Sequence, residues 1–188
     1  VLFVEGREKG LQFLAGYLLE LSLSVDNMFV FILIFKYFDI GPLYQSRVLH
    51  WGILGAQVMR MIFIMAGVSL IRSFHWMVYV FGFMVLYTGA KMLLQKEEEA
   101  PDLAANPAIK LLKRFLPLTT EQSGEKFFIR QNGALFATPL FAALLVIEAS
   151  DVIFALDSIP AIIAITPDPF IVYTSNIFAI LGLRSLFF

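Results

Sequence analysis

Five stretches of this chain, near residues 11–35, 48–71, 75–94, 133–165 and 169–188, are nearly unbroken apolar runs. Each approaches or exceeds the roughly 20 residues with which an α-helix crosses a bilayer. Turn signals separate them: "DIGP" after the first, "RSFH" after the second and "TPDP" after the fourth. The implied fold class is all-α, a polytopic transmembrane helix bundle of about five spans.

Composition narrows the functional classes. At 59% hydrophobic residues with 20 Phe, the chain is too apolar for an ordinary soluble domain. Its 14 Lys+Arg against 15 Asp+Glu leave a net charge of -1, which lacks the basic surplus of a nucleic-acid binder. The absence of Cys removes disulfides and thiolate metal sites, so any metal must take oxygen or imidazole ligands. The chain opens without Met on "VLFVEGREKG" and stops at "LGLRSLFF" inside an apolar run, and it reads as an internal piece of a longer protein. Residues 1–188 form a single, incomplete integral membrane domain on this reading.

Between the third and fourth runs lies a charged, Pro-containing segment, residues 95–132, the one substantial extramembrane loop. Five crossings place the termini on opposite sides. The N-terminal side collects Arg7, Lys9 and Arg72, whereas the other side collects Lys36, Arg47, Lys91, Lys96, Lys110, Lys113, Arg114, Lys126 and Arg130. Because cytoplasmic loops carry the Lys/Arg excess, the 95–132 loop is expected to be cytoplasmic and residues 1–10 external. Glu97 to Glu99 dilute the loop's net charge, but the rule counts Lys and Arg.

The runs also hold carboxylates that hydrocarbon penalises by several kcal/mol each unless they find partners. The first contains "ELSLSVDNMFVF", with Glu20, Asp26 and Asn27; the fourth contains "EASDVIFALDSIPAI", with Glu148, Asp151, Asp157 and Ser158. Glu20, Asp26 and Asn27 align with Asp151, Asp157 and Ser158, and "ILG" follows each motif, at Ile53–Gly55 and Ile180–Gly182. An internal duplication accounts for this, with 11–94 as the first repeat and 133–188 as a truncated second. The first motif helix descends while the fourth ascends, which makes the repeats inverted in topology. That architecture places binding sites near the midplane, between the repeats.

Five acids in the spans face only Arg60 and Arg184. The two arginines serve either as interhelical salt-bridge partners or as occupants of an otherwise empty site, but two guanidiniums cannot neutralise five carboxylates. The surplus negative charge calls for a cation or protons. At about 100° per residue, Glu20 and Asn27 share a helix face, as do Asp151 and Ser158, while Asp26 and Asp157 point elsewhere. Interruption of the fourth helix at Pro160 would free the Leu156 carbonyl as a further oxygen ligand. In the first, Ser22 and Ser24 can bend the helix by bonding back to it. Carboxylates, an amide, hydroxyls and a carbonyl form a hard oxygen set suited to magnesium, calcium or manganese. His50 and His75 stand alone and read as interfacial residues. No Ser/His/Asp set, phosphate-binding glycine loop or HExxH pattern points to an enzyme or a resident cofactor. Paired intramembrane aspartates alone would also suit an aspartyl protease, but that reading leaves Glu20, Glu148 and the Asn27/Ser158 pair unexplained.

The stretches "GYLLELSLSVDNMFVF", "QSRVLHWGILGA", "FFIRQNGALFATPL" and "SDVIFALDSIPAIIAITPDPFIVYTSNIFAILGLRS" resemble the TerC/Alx family of integral membrane proteins across nearly the whole chain. That family is placed with the lysine-exporter-like transporters. The resemblance implies about nine spans in the complete protein, and a role in manganese export with an older association with tellurium resistance. Its acidic positions fall on Glu20, Asp26 and Asn27 and on Glu148, Asp151 and Asp157. The expected function is export of a divalent cation, manganese foremost, coupled to protons, by a protein of the bacterial inner membrane. The cation is substrate, its partners are the ion and the lipid bilayer, and nucleic acid is excluded. The competing expectation is an assembly or stress-response protein that recruits protein partners through residues 95–132, as members in photosynthetic membranes imply. Five acids against two arginines would repel an oxyanion such as tellurite.

Overall fold

The computed structural model describes residues 6–94, 117–119, 124–131 and 133–187, with the side chains of Asp26, Thr88 and Asp157 and of residues 91–94 and 183–187, Arg184 among them, outside the described part. Most of the expected 95–132 loop, including Lys96, Glu97 to Glu99, Lys110, Lys113 and Arg114, lies outside it too. In chain order the elements are α1 (Arg7–Tyr37), α2 (Pro42–Ser73), α3 (Met77–Leu94), β1 (Phe128–Gln131), β2 (Ala134–Ala137), α4 (Pro139–Ile165) and α5 (Pro169–Phe187). By length and composition α1, α2 and α4 can each cross a membrane; α3 and α5 add the shorter apolar stretches Met77–Tyr87 and Pro169–Gly182.

Local chemistry sets the helix boundaries. Pro42, Pro139 and Pro169 each occupy the first position of a helix, where the missing N–H costs nothing and the fixed φ suits the turn. The Asp168 side chain caps α5 by accepting the Phe170 N–H at 3.0 Å, while its carbonyl accepts the Val172 N–H at 3.0 Å. Helix α1 ends in a left-handed residue, Asp39 with φ 51°, and the Ile40 N–H reaches back to the Phe35 carbonyl at 2.9 Å.

Two expectations require correction. The fourth run does not become helical at residue 133: Ala134–Ala137 pairs antiparallel with Phe128–Gln131, and α4 starts only at Pro139. The Asn132-Gly133 dipeptide between the strands is a tight-hairpin signal, and Gly133 has φ 82°. Nor is α4 interrupted at Pro160, which lies inside a continuous helix of 27 residues. Proline removes one hydrogen bond, and membrane helices tolerate that where neighbouring elements pack against the site; Ile159 and Ile162 beside it are both buried.

The chain divides into two compact units, and α1, α2 and α4 each contribute to both. The first unit comprises Val1–Met28, Gln57–Glu97 and Val152–Phe188. Its core joins Ile64 and Val68 of α2, Ala155, Ile159, Ile162 and Ile163 of α4 and Val172 of α5, flanked by Leu19 and Tyr173. Small residues allow close approach: a β-carbon at Gly16 would stand 2.9 Å from Ser175 Oγ, and one at Gly67 would stand 3.1 Å from Ile163 Cδ1. Lys9 Nζ meets Asp168 Oδ2 at 3.2 Å, so α1 and α5 start at the same end of this unit. Burial pushes the Asp168 carboxyl up, but the Lys9 ammonium and the Phe170 N–H together hold it below the usual carboxylate value.

The second unit comprises Phe29–Ala56 and Glu98–Asp151. Ala137 and Ala142 sit at its small apolar core with Phe38, Leu118, Phe141 and Leu145 around them. Thr138 fastens the hairpin to the start of α4, its hydroxyl donating to the Lys126 carbonyl at 2.8 Å. Arg47 pairs with Glu125 at 2.7 Å and lies over the Phe127 ring.

Helix α1 is inside-out relative to a soluble helix. It exposes Leu11, Leu14, Leu18, Val25, Phe29 and Ile32, spaced three, four or seven apart on one face. The polar residues Glu20, Ser24 and Asn27 are buried on another. Hydrocarbon is the solvent in which such a distribution is stable.

Candidate functional site

The polar stripe of α1 follows from its spacing. Glu20, Ser24 and Asn27 occur at i, i+4 and i+7, two turns of one face, and are 1%, 3% and 6% exposed. Ser22, expected to bond back to the helix, does so: its hydroxyl donates to the Leu18 carbonyl at 2.9 Å. Ser24 behaves differently, donating to Glu20 Oε1 at 3.0 Å and orienting that carboxylate.

Facing this stripe within the same unit is Arg60 of α2, 1% exposed. Its Nη1 donates to Glu20 Oε1 and to Asn176 Oδ1 of α5, the latter at 3.1 Å. The salt-bridge role anticipated for Arg60 is therefore present, with Glu20 as partner. Buried ion pairs of this kind balance a large desolvation cost against attraction in a medium of low dielectric. Asn176, 1% exposed beside the buried Ser175, is a site residue that the sequence reading passed over. An amide in the apolar run "IVYTSNIFAILG" was the available signal.

The pair does not use all the polar atoms of this unit. Among the described residues, Glu20 Oε2, Asn27 Oδ1, Ser158 Oγ and Asn176 Nδ2 are buried without a hydrogen-bond partner. Buried polar groups are almost always satisfied, so these three oxygens are hard donors with unused capacity; Glu20 and Asn27 lie two turns, about 10 Å, apart along α1. Asp26 and Asp157 lie along the same stretches of α1 and α4, and their side chains are outside the described part.

Glu148 and Asp151 belong to the second unit. Asp151 is 6% exposed. Glu148 rests on α2 at Gly55, where an added β-carbon would overlap its carboxylate, standing 2.7 Å from Oε2. Gly55, the last residue of the first "ILG", therefore seats an acid of α4 against the α2 backbone. Among the described residues no three His, Asp or Glu side chains form a metal-type cluster. The arrangement is one buried ion pair with oxygen donors in the first unit, and an acid pair in the second.

The profile described as integral membrane protein TerC family matches residues 5–188. An uncharacterized membrane protein of Myxococcus xanthus is 56% identical over 184 residues, covering 97% of this chain and 57% of its own length. A Salmonella typhi protein, named as a candidate membrane-bound redox modulator Alx, is 53% identical, with coverage of 98% and 58%. The thylakoid membrane protein TERC of Arabidopsis thaliana chloroplasts is 49% identical, with coverage of 97% and 47%. The chain thus spans about half the length of the curated relatives it matches. No solved structure matches it. Buried polar residues on apolar helices and a family match over nearly the full length lead to one assignment: the chain belongs to the TerC family of integral membrane proteins.

Proposed function

We propose that this chain forms part of a secondary transporter that exports a divalent cation, manganese foremost, across a bacterial inner membrane. The supporting observation is the set of buried oxygens in the first unit, Glu20 Oε2, Asn27 Oδ1 and Ser158 Oγ, which have no hydrogen-bond partner among the described residues. Carboxylate, amide and hydroxyl oxygens suit Mg2+, Ca2+ and Mn2+, and the 188 residues contain no Cys to favour a softer ion. Asp26 and Asp157 add carboxylates to the same helices, and Glu148 and Asp151 of the second unit are the further acids that the inverted-repeat reading of 11–94 and 133–188 implies. Intramembrane carboxylates can trade a bound cation for a proton, which makes protons the fitting counter-ion.

The names of the relatives suggest a second reading. A redox role or a thylakoid role would have the chain act through partners bound by residues 95–132. Thiol–disulfide chemistry would need cysteines from outside these 188 residues. The acidic surplus of the spans favours cation transport over both this role and oxyanion transport. The test is flux into vesicles carrying the full-length protein: Mn2+ should enter well above the lipid background and tellurite should not. Tellurite flux without Mn2+ flux would show that the substrate's charge is wrong.

A further inference from the structure

Arg60 is the largest fully buried side chain among the described residues, and salt-bridge packing alone does not explain its surroundings. Its Nη1 is shared between two acceptors on different helices, Glu20 Oε1 of α1 and Asn176 Oδ1 of α5. Glu20 engages Arg60 and Ser24 through the same oxygen, leaving Oε2 without a donor. A carboxylate fixed only for structure would be expected to use both oxygens, since a bidentate fork is the favoured Arg–carboxylate geometry. Here one oxygen is committed to a guanidinium and the other is spare.

We propose that Arg60 is a tethered cation that holds the place of the transported ion on Glu20, so that Arg60 and the divalent cation bind that carboxylate in mutual exclusion. This inference rests on the cation-transport reading above and names how the site is regulated. Arginine suits the role because its guanidinium does not deprotonate in proteins. Glu20 therefore keeps its charge balanced in the unloaded site without admitting water or a proton. When a dication takes Glu20 through Oε2 and then Oε1, Arg60 retreats onto Asn176 Oδ1, the acceptor it already touches at 3.1 Å. When the ion leaves, Arg60 returns. The competition lowers the ion's affinity and prevents the carboxylate from trapping its cargo.

The test is Mn2+ binding to the purified full-length protein, read from the loss of the free-ion paramagnetic resonance signal, alongside vesicle flux. At an effective dielectric of about 20, a unit charge even about 10 Å from a dication weakens its binding by a factor of more than about 100; with Arg60 already able to retreat, Arg60→Gln is expected to bind Mn2+ at least about tenfold more tightly. The same variant should turn over more slowly. Arg60→Lys keeps the charge and should bind within about threefold of the unmodified protein. If the unmodified protein binds and carries Mn2+ while Arg60→Gln binds it equally or more weakly, the tethered-cation idea is overturned and the transport reading survives. If the unmodified protein neither binds nor carries Mn2+, both fall. Should Arg60→Gln fail to fold, a structure of the unmodified full-length protein with Mn2+ decides. Arg60 displaced from Glu20 supports the proposal, and Arg60 still on Glu20 with the ion bound elsewhere overturns it.

Discussion

Replacing Glu20 by Gln keeps its shape and its ability to accept hydrogen bonds from Arg60 and Ser24, but removes the charge. The pair is buried on both sides, at 2% and 1% side-chain exposure. At hydrogen-bonding separation and an effective dielectric of about 20, its attraction is about 5 kcal/mol. Desolvation of the two ions offsets most of this, so the intact pair adds little net stability, whereas removing one partner strands the other and costs about 3–5 kcal/mol. Asn176 still accepts from Arg60, which places Glu20→Gln near the lower bound. The double replacement Glu20→Met/Arg60→Met strands neither charge of the pair but removes the donor to Asn176 Oδ1, so it should lie within about 1–2 kcal/mol of the unmodified protein and above the single variant. At about 1–2 °C per kcal/mol for a chain the length of these relatives, Glu20→Gln should melt about 3–6 °C lower. The assay is thermal unfolding of the full-length protein in detergent, arranged as a double-mutant cycle. A single variant that melts with the unmodified protein, or a double variant as damaged as the single, would refute the claim that these two residues form one buried electrostatic unit.

At Gly55, a methyl group would overlap the Glu148 carboxylate, a flexible end that can swing away. Gly55→Ala should therefore cost less than about 1.5 kcal/mol of stability, yet reduce Mn2+ flux several-fold; equal flux would remove Glu148 from the path. Asp168→Asn keeps the cap on α5 but loses the charge that meets Lys9. Because the folded carboxyl is held below its unfolded value, the charge contributes stability above the usual carboxylate pKa and loses it as pH falls through the folded value. The pair is partly exposed, so the difference should be less than about 1 kcal/mol at neutral pH. Melting curves of protein and variant should converge in acid, and a gap that widens there would contradict the sign.

Much of the fold was legible because hydrocarbon leaves few choices. Apolar runs broken by "DIGP" and "TPDP" became α1, α2, α4 and α5, of which α1, α2 and α4 are long and apolar enough to cross a membrane, with Pro42 and Pro169 at first helical positions. The missed hairpin had a signal in Asn132-Gly133, but the flanking "FFIR" and "ALFATPL" read equally well as the start of an apolar span. Short apolar stretches do not separate strand from helix by periodicity. Pro160 misled in the other direction, since packing retained a helix that local propensity would end.

Charge counting and the alignment of the two motifs singled out Glu20, Asn27, Asp151 and Ser158, and the structure buries all four. Such counting could not find Asn176, a lone amide outside both motifs that matters only because α5 brings it to Arg60. Nor could it choose Arg60's partner, which lies 40 residues away in sequence. Spacing along one helix fixes which residues share a face, and only packing fixes what that face meets.

The most direct measurement compares two full-length variants in Mn2+-loaded vesicles: Asp26→Asn/Asp157→Asn, and a protein lacking residues 98–114. Oxygen-ligand sites gain much of their affinity from ligand charge. Transport through the intramembrane acids predicts that the double variant falls to the lipid background while the loop deletion retains its flux. Full flux in the double variant, with loss of flux on deleting the loop, would contradict the account.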